Sequence, residues 1–276
     1  MANIILTHGI LGFDKLLPGP LLSPHYFNGV AAHLTNKGHH IIEAKVDAIG
    51  SVAHRGDQLA EILKNAMPGE PLHVIAHSMG GLDARHAITN RKDIVTRVRA
   101  LVTIGTPHQG SPVADAIMSN TGALFQAIPP FLVGQLKNSG EALSNLTVDV
   151  SKRRDMSTED QDGVRYIEVA GDASKAGTES LLFRMAAEIG KLSPGVVNDG
   201  VVTESSALRN KPGHIHLENW PVDHAGEIGW SESSPLPIEP FLLQPFGENL
   251  LSQAAKQHLA RYEAIAAMFQ PAAARA

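Results

Sequence analysis

Short apolar runs alternate with longer amphipathic runs along the first half of the chain. Four apolar runs have the length and composition of buried strands: Asn3 to Thr7, His40 to Val46, Leu72 to Ala76 and Ala100 to Ile104. Between them, Gln58 to Ala66 repeats leucine and isoleucine at helical spacing, and Met79 to Thr89 follows the third run as a second predicted helix. Strands that alternate with helices are typical of a doubly wound parallel sheet.

The segment from Ser111 to Gly163 lacks this strand pattern and consists of helix-like stretches. Its most apolar part, Ala123 to Val133, is interrupted by Pro129 and Pro130, which are unfavourable inside a helix. Ordinary core helices would also explain the apolar residues. The proline interruption favours a lid over one edge of the sheet. We therefore expect residues 111–163 to be a helical lid inserted in a single domain that spans residues 1–276.

The remainder of the chain returns once to a strand pattern and then becomes irregular. Arg165 to Ala170 predicts a further strand, and Glu248 to Phe269 predicts the final helix. Between them, Ser193 to Pro245 is rich in Gly, Pro and His. Irregular stretches of this length usually carry function.

Composition and charge exclude several classes of protein. The net charge is -5, from 23 basic and 28 acidic residues, and no run of Lys or Arg could follow a phosphate backbone, so nucleic acid is not an expected partner. The chain has no cysteine, which excludes disulfides and thiolate sites. Met1 leads directly into the first apolar run without a basic leader, which predicts a cytoplasmic protein or a secreted mature form. No apolar stretch reaches the roughly 20 residues of a membrane span.

A serine lies at the junction between the third predicted strand and its helix, within Leu72 to Leu82. Small residues, Ala76 and Gly80, stand two positions before and after Ser78. This pattern is typical of a nucleophile elbow, a turn so tight that larger side chains would collide with neighbouring backbone while the serine hydroxyl is exposed. His77 is expected to point away from the serine. The alternative is a helix that simply begins with serine as its N-cap.

A second element follows the first strand, where Thr7 leads into His8-Gly9-Ile10. A His-Gly loop at this place supplies one backbone N–H of an oxyanion hole, and the residue after the nucleophile supplies the other. The donors would be Ile10 and Met79, and the loss of one such donor raises a reaction barrier by about 3 kcal/mol. A glycine turn that merely ends the strand is the alternative.

A serine hydroxyl needs a base and an orienting carboxylate, in the chain order Ser, acid, His. Asn198-Asp199-Gly200 offers a carboxylate in a turn-rich segment, and His224 follows 25 residues after Asp199. Asp172, just after the strand at Arg165 to Ala170, is the alternative acid on topological grounds.

Other residues of the same stretch are weaker alternatives. Asp223 is adjacent to His224 and is therefore poorly placed to reach its ring. His214 and His216 could serve as the base. Their spacing could also suggest a metal pair, but no carboxylate with ligand spacing accompanies them, so we interpret them as solvated loop histidines.

Four segments together resemble the bacterial true lipases, the triacylglycerol lipase family typified by Pseudomonas and Burkholderia enzymes. They are His8 to Asp14, Ala76 to Gly81, Gly105 to Ser111 and Asn198 to Val202. The resemblance implies an α/β-hydrolase fold, a mostly parallel sheet flanked by helices with a helical lid. It also implies Ser78 as nucleophile, Asp199 rather than Asp172 as acid, His224 as base, and Ile10 and Met79 as oxyanion donors.

The resemblance has two departures. Many of those lipases hold a structural calcium partly through an acidic residue two positions after the catalytic histidine, where this chain has Gly226 followed by Glu227. The family's disulfide cannot form in a chain without cysteine. We therefore expect no cofactor, with calcium as the alternative.

The function expected from these residues is hydrolysis of carboxylic esters with apolar acyl chains, from a lipid or a polyester, through an acyl-enzyme on Ser78. The same triad could transfer the acyl group to another acceptor or attack a thioester. A catalytically silent relative that binds lipid is the alternative outside enzymes. The sequence leaves acyl length and oligomeric state open.

Overall fold

The computed structural model describes residues 1–11, 26–176, 181–230 and 253–269. Within these ranges, six strands form one sheet in the order β2-β1-β3-β4-β5-β6, and every neighbouring pair is parallel. The strands are β1 Asn3–Thr7, β2 His40–Ala44, β3 Leu72–His77, β4 Val98–Ile104, β5 Arg165–Val169 and β6 Ile215–His216. The parallel sheet predicted from the strand and helix alternation is therefore confirmed.

Helices follow most of the strands and also fill the segment between β4 and β5. They are α1 Val30–Asn36, α2 Val52–Asn65, α3 Met79–Asn90, α4 Lys92–Val95, α5 Pro112–Ser119, α6 Gly122–Ala127, α7 Pro130–Lys137, α8 Glu141–Asn145, α9 Val148–Ser157, α10 Leu181–Leu192, α11 Glu204–Ala207 and α12 Gln253–Ala267. Short 3-10 turns occur at Ala173–Lys175 and Gly226–Ile228. No helix in the described ranges is both long and apolar enough to cross a membrane.

The central strands of the sheet are covered on both faces, which explains why consecutive residues of these strands are apolar. Successive strand residues point to opposite faces. Ile4 and Leu6 accordingly pack in the cluster that includes α1 and α12, whereas Ile5 packs in the cluster that includes α2 and α3. Burial on both faces is the usual condition of parallel strands.

Five short helices, α5 to α9, occupy the segment predicted as a lid. Pro130 is the first residue of α7, so the proline pair separates two helices rather than kinking one. Apolar side chains of this segment form a third cluster together with Met79 and Leu82 at the start of α3. This cluster places the segment over the carboxyl end of β3, where the candidate nucleophile lies.

Several predicted element boundaries differ from the structure by one or more residues. Helix α2 begins at Val52 rather than Gln58, with Ser51 as its N-cap. The prediction missed its first turns because their buried face carries Arg55 and Gly56 instead of aliphatic residues. Gly56 allows close packing on α3, since an added Cβ would lie 2.5 Å from the His86 ring. Strand β2 ends at Ala44 rather than Val46.

Some predicted features lie outside the described residues. They are Gly12 to Asp14 of the His-Gly segment, the start of the final helix at residues 248–252, part of the irregular stretch at residues 231–245, and the tail from residue 270 onward.

Candidate active site

Ser78 lies between β3 and α3 with φ 55° and ψ −132°, a left-handed φ that non-glycine residues rarely adopt. The neighbouring glycine makes this turn possible. A Cβ on Gly80 would lie 2.7 Å from the carbonyl oxygens of Thr7 and His8, so a larger residue would force β1 and α3 apart. The sequence thus builds a strained turn that presents the hydroxyl of a largely buried serine.

Three of the predicted residues form one line of hydrogen bonds. His224 Nε2 lies 3.0 Å from Ser78 Oγ, and His224 Nδ1 lies 2.7 Å from Asp199 Oδ2. The backbone N–H of His224 also donates to the Asp199 carbonyl, at 2.9 Å. The structure therefore brings together Ser78, His224 and Asp199 from distant parts of the chain, in the arrangement a base-activated serine requires.

The turn that contains Asp199 fixes its carboxylate. Asp199 Oδ1 accepts the backbone N–H groups of Val201 and Val202, at 2.8 and 2.6 Å. Gly200 has φ 92°, a conformation that favours glycine, and donates its N–H to the Asn198 side chain. With Oδ1 held by the backbone, Oδ2 of this buried side chain faces the imidazole.

The alternative acids have other partners. Asp172 Oδ1 accepts the Ser174 backbone N–H and hydroxyl, and its other oxygen lies 3.2 Å from Lys175 Nζ. Asp223 Oδ1 accepts the backbone N–H of Gly226 at 2.7 Å. Both carboxylates thus stabilise local turns, whereas Asp199 contacts the His224 ring.

The alternative bases lie at the edge of the sheet, on and next to β6. His214 Nδ1 is 3.0 Å from Glu168 Oε1, and its Nε2 is 3.0 Å from Asp160 Oδ2. His216 Nε2 lies 3.1 Å from Glu168 Oε2. The interpretation of these residues as solvated loop histidines is wrong for His214, whose side chain is 4% exposed. Its carboxylate partners come from β5 and the loop before it, a pairing that local spacing does not reveal.

A second buried carboxyl lies beside the candidate base. Glu227 Oε2 is 3.3 Å from His224 Nδ1 and 3.0 Å from His77 Nε2. Burial and the nearby Asp199 charge raise the pKa of the Glu227 carboxyl to about 8, so this group holds a proton at neutral pH. Sequence reasoning missed this role, although the His-x-x-Glu spacing across the 3-10 turn was its available signal.

His77 packs against the His224 imidazole and makes its hydrogen bonds to residues other than Ser78. Its ring lies 4.5 Å from the His224 ring, centroid to centroid. His77 Nε2 is 3.1 Å from the His224 carbonyl, and Nδ1 is 2.6 Å from Tyr26 Oη. Burial, followed by the His224 charge, places the pKa of His77 well below its usual value, so His77 is neutral and donates through one ring nitrogen only.

The protonation of His224 is set by opposing influences. Burial lowers the pKa of its imidazole, but the adjacent Asp199 carboxylate outweighs burial and moves the pKa above its ordinary value. The imidazolium is thereby stabilised at the point where a base would hold the serine proton.

The residues next to His224 do not match a calcium site. Calcium prefers six to eight oxygen ligands. Glu227, the acidic residue nearest in position to the ligand of the resembling lipases, is fully buried with its carboxyl between two imidazoles. It offers no oxygen-rich setting for that ion.

The two predicted oxyanion donors belong to different elements near the serine. Met79 is the first residue of α3, where backbone N–H groups have no partner within the helix. Ile10 lies in the loop after β1 and lines the same cavity as Ser78. A Cβ on Gly9 would lie 2.7 Å from Ser78 Cβ, so glycine allows this loop to approach the nucleophile.

A cavity of about 230 Å³ opens beside Ser78 and His224. Its walls are mostly apolar. Aliphatic and other apolar side chains lining it include Ile10, Leu11, Val113, Ala114, Leu132, Leu136, Leu143, Leu146, Leu182, Met185, Val201, Ile228 and Trp230. A carbonyl carbon at Ser78 Oγ could therefore carry an apolar chain into this space.

Comparison with known sequences finds one family model, over less than half of the chain, and several proteins named lipases. Residues 52–169 match the PGAP1-like alpha/beta domain family. Triacylglycerol lipase 2 of Saccharomyces cerevisiae is 29% identical over 269 residues, which cover 82% of this chain and 80% of that protein. The triacylglycerol lipase of Pseudomonas fragi is 29% identical over 117 residues, or 41% of this chain and 37% of that protein. These likenesses support a lipase family.

Comparison with solved structures shows the fold. A lipase of Bacillus licheniformis in its mature form aligns with TM-score 0.66 and 22% identity, over 88% of this chain and 91% of that chain. A metagenomic carboxyl esterase aligns with TM-score 0.66 and 20% identity, over 96% and 76%. The chain has the α/β-hydrolase fold, and the fold prediction is confirmed.

Proposed function

We propose that this protein is a serine carboxylic ester hydrolase that cleaves esters of apolar acyl chains. The observation that carries the proposal is the line of hydrogen bonds from Ser78 through His224 to Asp199. Ser78 and His224 also line an apolar cavity. The fold alone would not support this function, because α/β folds host many chemistries.

The geometry supports acyl transfer in two steps. His224 Nε2 takes the Ser78 proton as Oγ bonds to the ester carbonyl carbon, and Asp199 stabilises the resulting imidazolium. The negative charge on the former carbonyl oxygen is stabilised by the N–H groups of Ile10 and Met79. The C–O bond to the alcohol then breaks, and His224 gives the alcohol its proton.

Release of the acid repeats the same chemistry with water. His224 removes a proton from water as the oxygen bonds to the acyl carbon, and the bond to Ser78 Oγ breaks. The proton returns from His224 to the serine. Each step uses residues of this chain only, and we propose that turnover needs no calcium.

The substrate class follows from the cavity and from the relatives. Apolar walls favour aliphatic acyl groups, and the proteins from S. cerevisiae and P. fragi are named triacylglycerol lipases. We propose lipid esters as substrates, in the manner of the Pseudomonas and Burkholderia lipases, with residues 111–163 as the lid over the acyl chain.

The test is turnover of p-nitrophenyl esters of increasing chain length by the wild type and by Ser78→Ala, with and without a chelator. We expect activity that increases with chain length, is lost in Ser78→Ala and is unchanged by the chelator. Labelling of the wild type by a fluorophosphonate should show the same dependence on Ser78. Absence of both turnover and labelling would favour a lipid-binding protein, and products with an acceptor other than water would favour an acyltransferase.

A further inference from the structure

An oxyanion site depends on backbone N–H groups that are held in place before the reaction begins. The N–H of Met79 is fixed by its helix. Ile10 belongs to a loop rather than a helix, and this loop is held at the next residue, where the Leu11 N–H donates to the Ala48 carbonyl at 2.7 Å. The structure shows a charged side chain, Arg55 of α2, in contact with the backbone carbonyls of this loop.

Arg55 is fully buried and binds the two carbonyl groups that precede Ile10. Its Nη2 donates to the His8 carbonyl at 2.8 Å and to the Gly9 carbonyl at 3.3 Å. A second nitrogen, Nη1, donates to the Asp47 carbonyl at 2.6 Å, which ties the loop after β1 to the loop after β2.

Peptide geometry links the Gly9 carbonyl to the Ile10 N–H. Both groups belong to one planar unit, and in a trans peptide they point in opposite directions. The peptide bonds of the described residues include no cis bond. The Gly9 carbonyl lies 3.3 Å from Arg55 Nη2 and 2.8 Å from His8 Nδ1. Because these two side chains hold the carbonyl on one side of the peptide, the Ile10 N–H points to the other side, away from Arg55.

The same arginine is anchored to the helix that carries the other donor. Arg55 Nε and Nη2 lie 2.8 and 2.6 Å from Asp83 Oδ2, and both side chains are fully buried. Asp83 is on α3, four residues and about one turn after Met79. Burial raises the pKa of the Asp83 carboxyl to about 6, despite the attraction of Arg55, so the pair is ionised at neutral pH.

We propose that Arg55 is a positioning residue for the oxyanion site, and that its pair with Asp83 keeps the Ile10 and Met79 N–H groups in register. This inference rests on the proposed hydrolase function. A buried ion pair is weak evidence for stability alone, because apolar residues of similar volume often serve a core as well. Arg55 also donates hydrogen bonds to the carbonyls of His8 and Gly9, which an apolar residue at this position could not do.

The test compares two substrates that differ in the atom that receives the negative charge, oxygen in one and sulfur in the other. This comparison distinguishes loss of oxyanion stabilisation from loss of folded protein. Sulfur accepts hydrogen bonds more weakly than oxygen. A thiono ester, with C=S in place of C=O, therefore gains less from oxyanion donors than the matching oxygen ester. The ratio of kcat for the two esters measures how well the donors are placed, independently of how much enzyme is folded.

The variants are Arg55→Lys, which keeps the charge but loses the planar fork, and Asp83→Asn, which keeps the shape of the anchor. Arg85→Lys is the matched control. Arg85 is also a buried arginine, and it binds Asp155 at 2.6 Å and the Thr158 carbonyl at 3.0 Å.

For Arg55→Lys we expect kcat for the oxygen ester to fall on the order of 10- to 100-fold, part of the effect of losing one donor outright. KM should change by less than about threefold, because the interaction acts in the transition state. The ratio of oxygen-ester to thiono-ester kcat should fall in Arg55→Lys, and less in Asp83→Asn. In Arg85→Lys the ratio should match the wild type.

Equal losses on both esters in Arg55→Lys would show a merely structural arginine and overturn the inference. If Arg55→Lys does not fold, an unchanged ratio in Asp83→Asn has the same meaning. Wild-type turnover that Ser78→Ala abolishes establishes the hydrolase separately, whereas a wild type that turns over neither ester overturns the function and this inference together.

Discussion

In two clusters of this molecule an imidazole contacts a buried carboxylate, and the clusters differ in what the second ring nitrogen faces. At the carboxyl end of β3, His224 contacts Asp199 through Nδ1, and its Nε2 faces the Ser78 hydroxyl beside a cavity. At the edge of the sheet, His214 contacts Glu168 through Nδ1 and Asp160 through Nε2.

The difference shows what makes a buried histidine a candidate base. Both rings have a carboxylate that orients them, so orientation does not distinguish them. Both nitrogens of His214 are occupied by carboxylate oxygens, and Arg209 adds a guanidinium 2.8 Å from Glu168 Oε1. Only in the first cluster does a ring nitrogen remain to accept a hydroxyl proton. A histidine paired with a carboxylate is therefore a candidate base only when a hydroxyl, here that of Ser78, faces its other ring nitrogen.

The largest effect should come from removing each histidine. We expect His224→Ala to lower kcat by at least about 10⁴-fold, as for other triad bases, with little change in melting temperature. His214→Ala should leave kcat within about threefold and instead lower the free energy of unfolding by roughly 1 to 3 kcal/mol, because it removes one hydrogen-bond partner of the buried Glu168 carboxylate, which Arg209 still binds. Steady-state kinetics and thermal denaturation of both variants provide the measurement, and a large kcat loss in His214→Ala would contradict the comparison.

The next effect concerns the acids. Asp199→Asn should lower kcat by about 10³- to 10⁴-fold, because the amide no longer stabilises the imidazolium. Asp172→Asn should leave turnover nearly intact, since Asp172 caps a 3-10 turn through Ser174. Kinetics of the two variants decide between the acids suggested by the sequence, and the reverse order of losses would assign the role to Asp172.

A smaller effect should come from Glu227. Its folded pKa is raised to about 8 from an ordinary value of 4.5, so the folded state holds a proton that the unfolded state has lost between these values. Stability therefore falls as pH rises through this window. Glu227→Gln removes the titrating group, and its free energy of unfolding relative to wild type should increase from pH 5 to pH 8. Denaturant titrations across this range test the sign, and a parallel pH dependence in both proteins would count against a buried neutral Glu227.

Glu227→Gln should leave the acidic limb of the kcat/KM profile where it is in the wild type. The pKa of the Glu227 carboxyl is raised to about 8, so below that pH the carboxyl is neutral and glutamine replaces it 3.3 Å from His224 Nδ1 without a change of charge. The pH profile of the variant measures this directly.

The smallest effect is expected from a chelator. His77, His224 and Glu227 form one set of side chains that could hold a metal ion, and Glu168, His214 and His216 form another. In both sets the ligand atoms are already engaged by hydrogen bonds within the protein. Treatment with a chelator should therefore leave kcat and melting temperature unchanged, and a fall in either that added metal restores would show a metal site in one of the clusters.

Local patterns predicted the parts of this structure that depend on local forces. Apolar strands were found because both faces of the sheet are buried, and the turn at Ser78 was found because its geometry demands small residues at fixed positions. The Asn198-Asp199-Gly200 turn has a comparable signature. The catalytic roles of the site residues stay predictions until the kinetics are measured.

Features built by distant pairs could not be read in the same way. Arg55 and Asp83, Glu168 and His214, and the approach of Glu227 to His77 each join segments whose contact depends on the finished fold. The start of α2 was missed for the same reason, because its buried Arg55 satisfies its charge on another helix. Polar residues on a buried face lack the periodic signal that aliphatic residues give.

The C-terminal helix α12 has a contact that reaches the active centre. The hydroxyl of Tyr262, fully buried in α12, donates to the Glu227 carbonyl at 3.1 Å, and Glu227 is three residues after His224. Ser78 and Tyr262 are far apart in the sequence, and the contact of α12 beside the base forms only when these distant segments meet. Because parallel sheets fold through contacts distant in sequence, we expect recovery of ester turnover during refolding to follow the docking of α12.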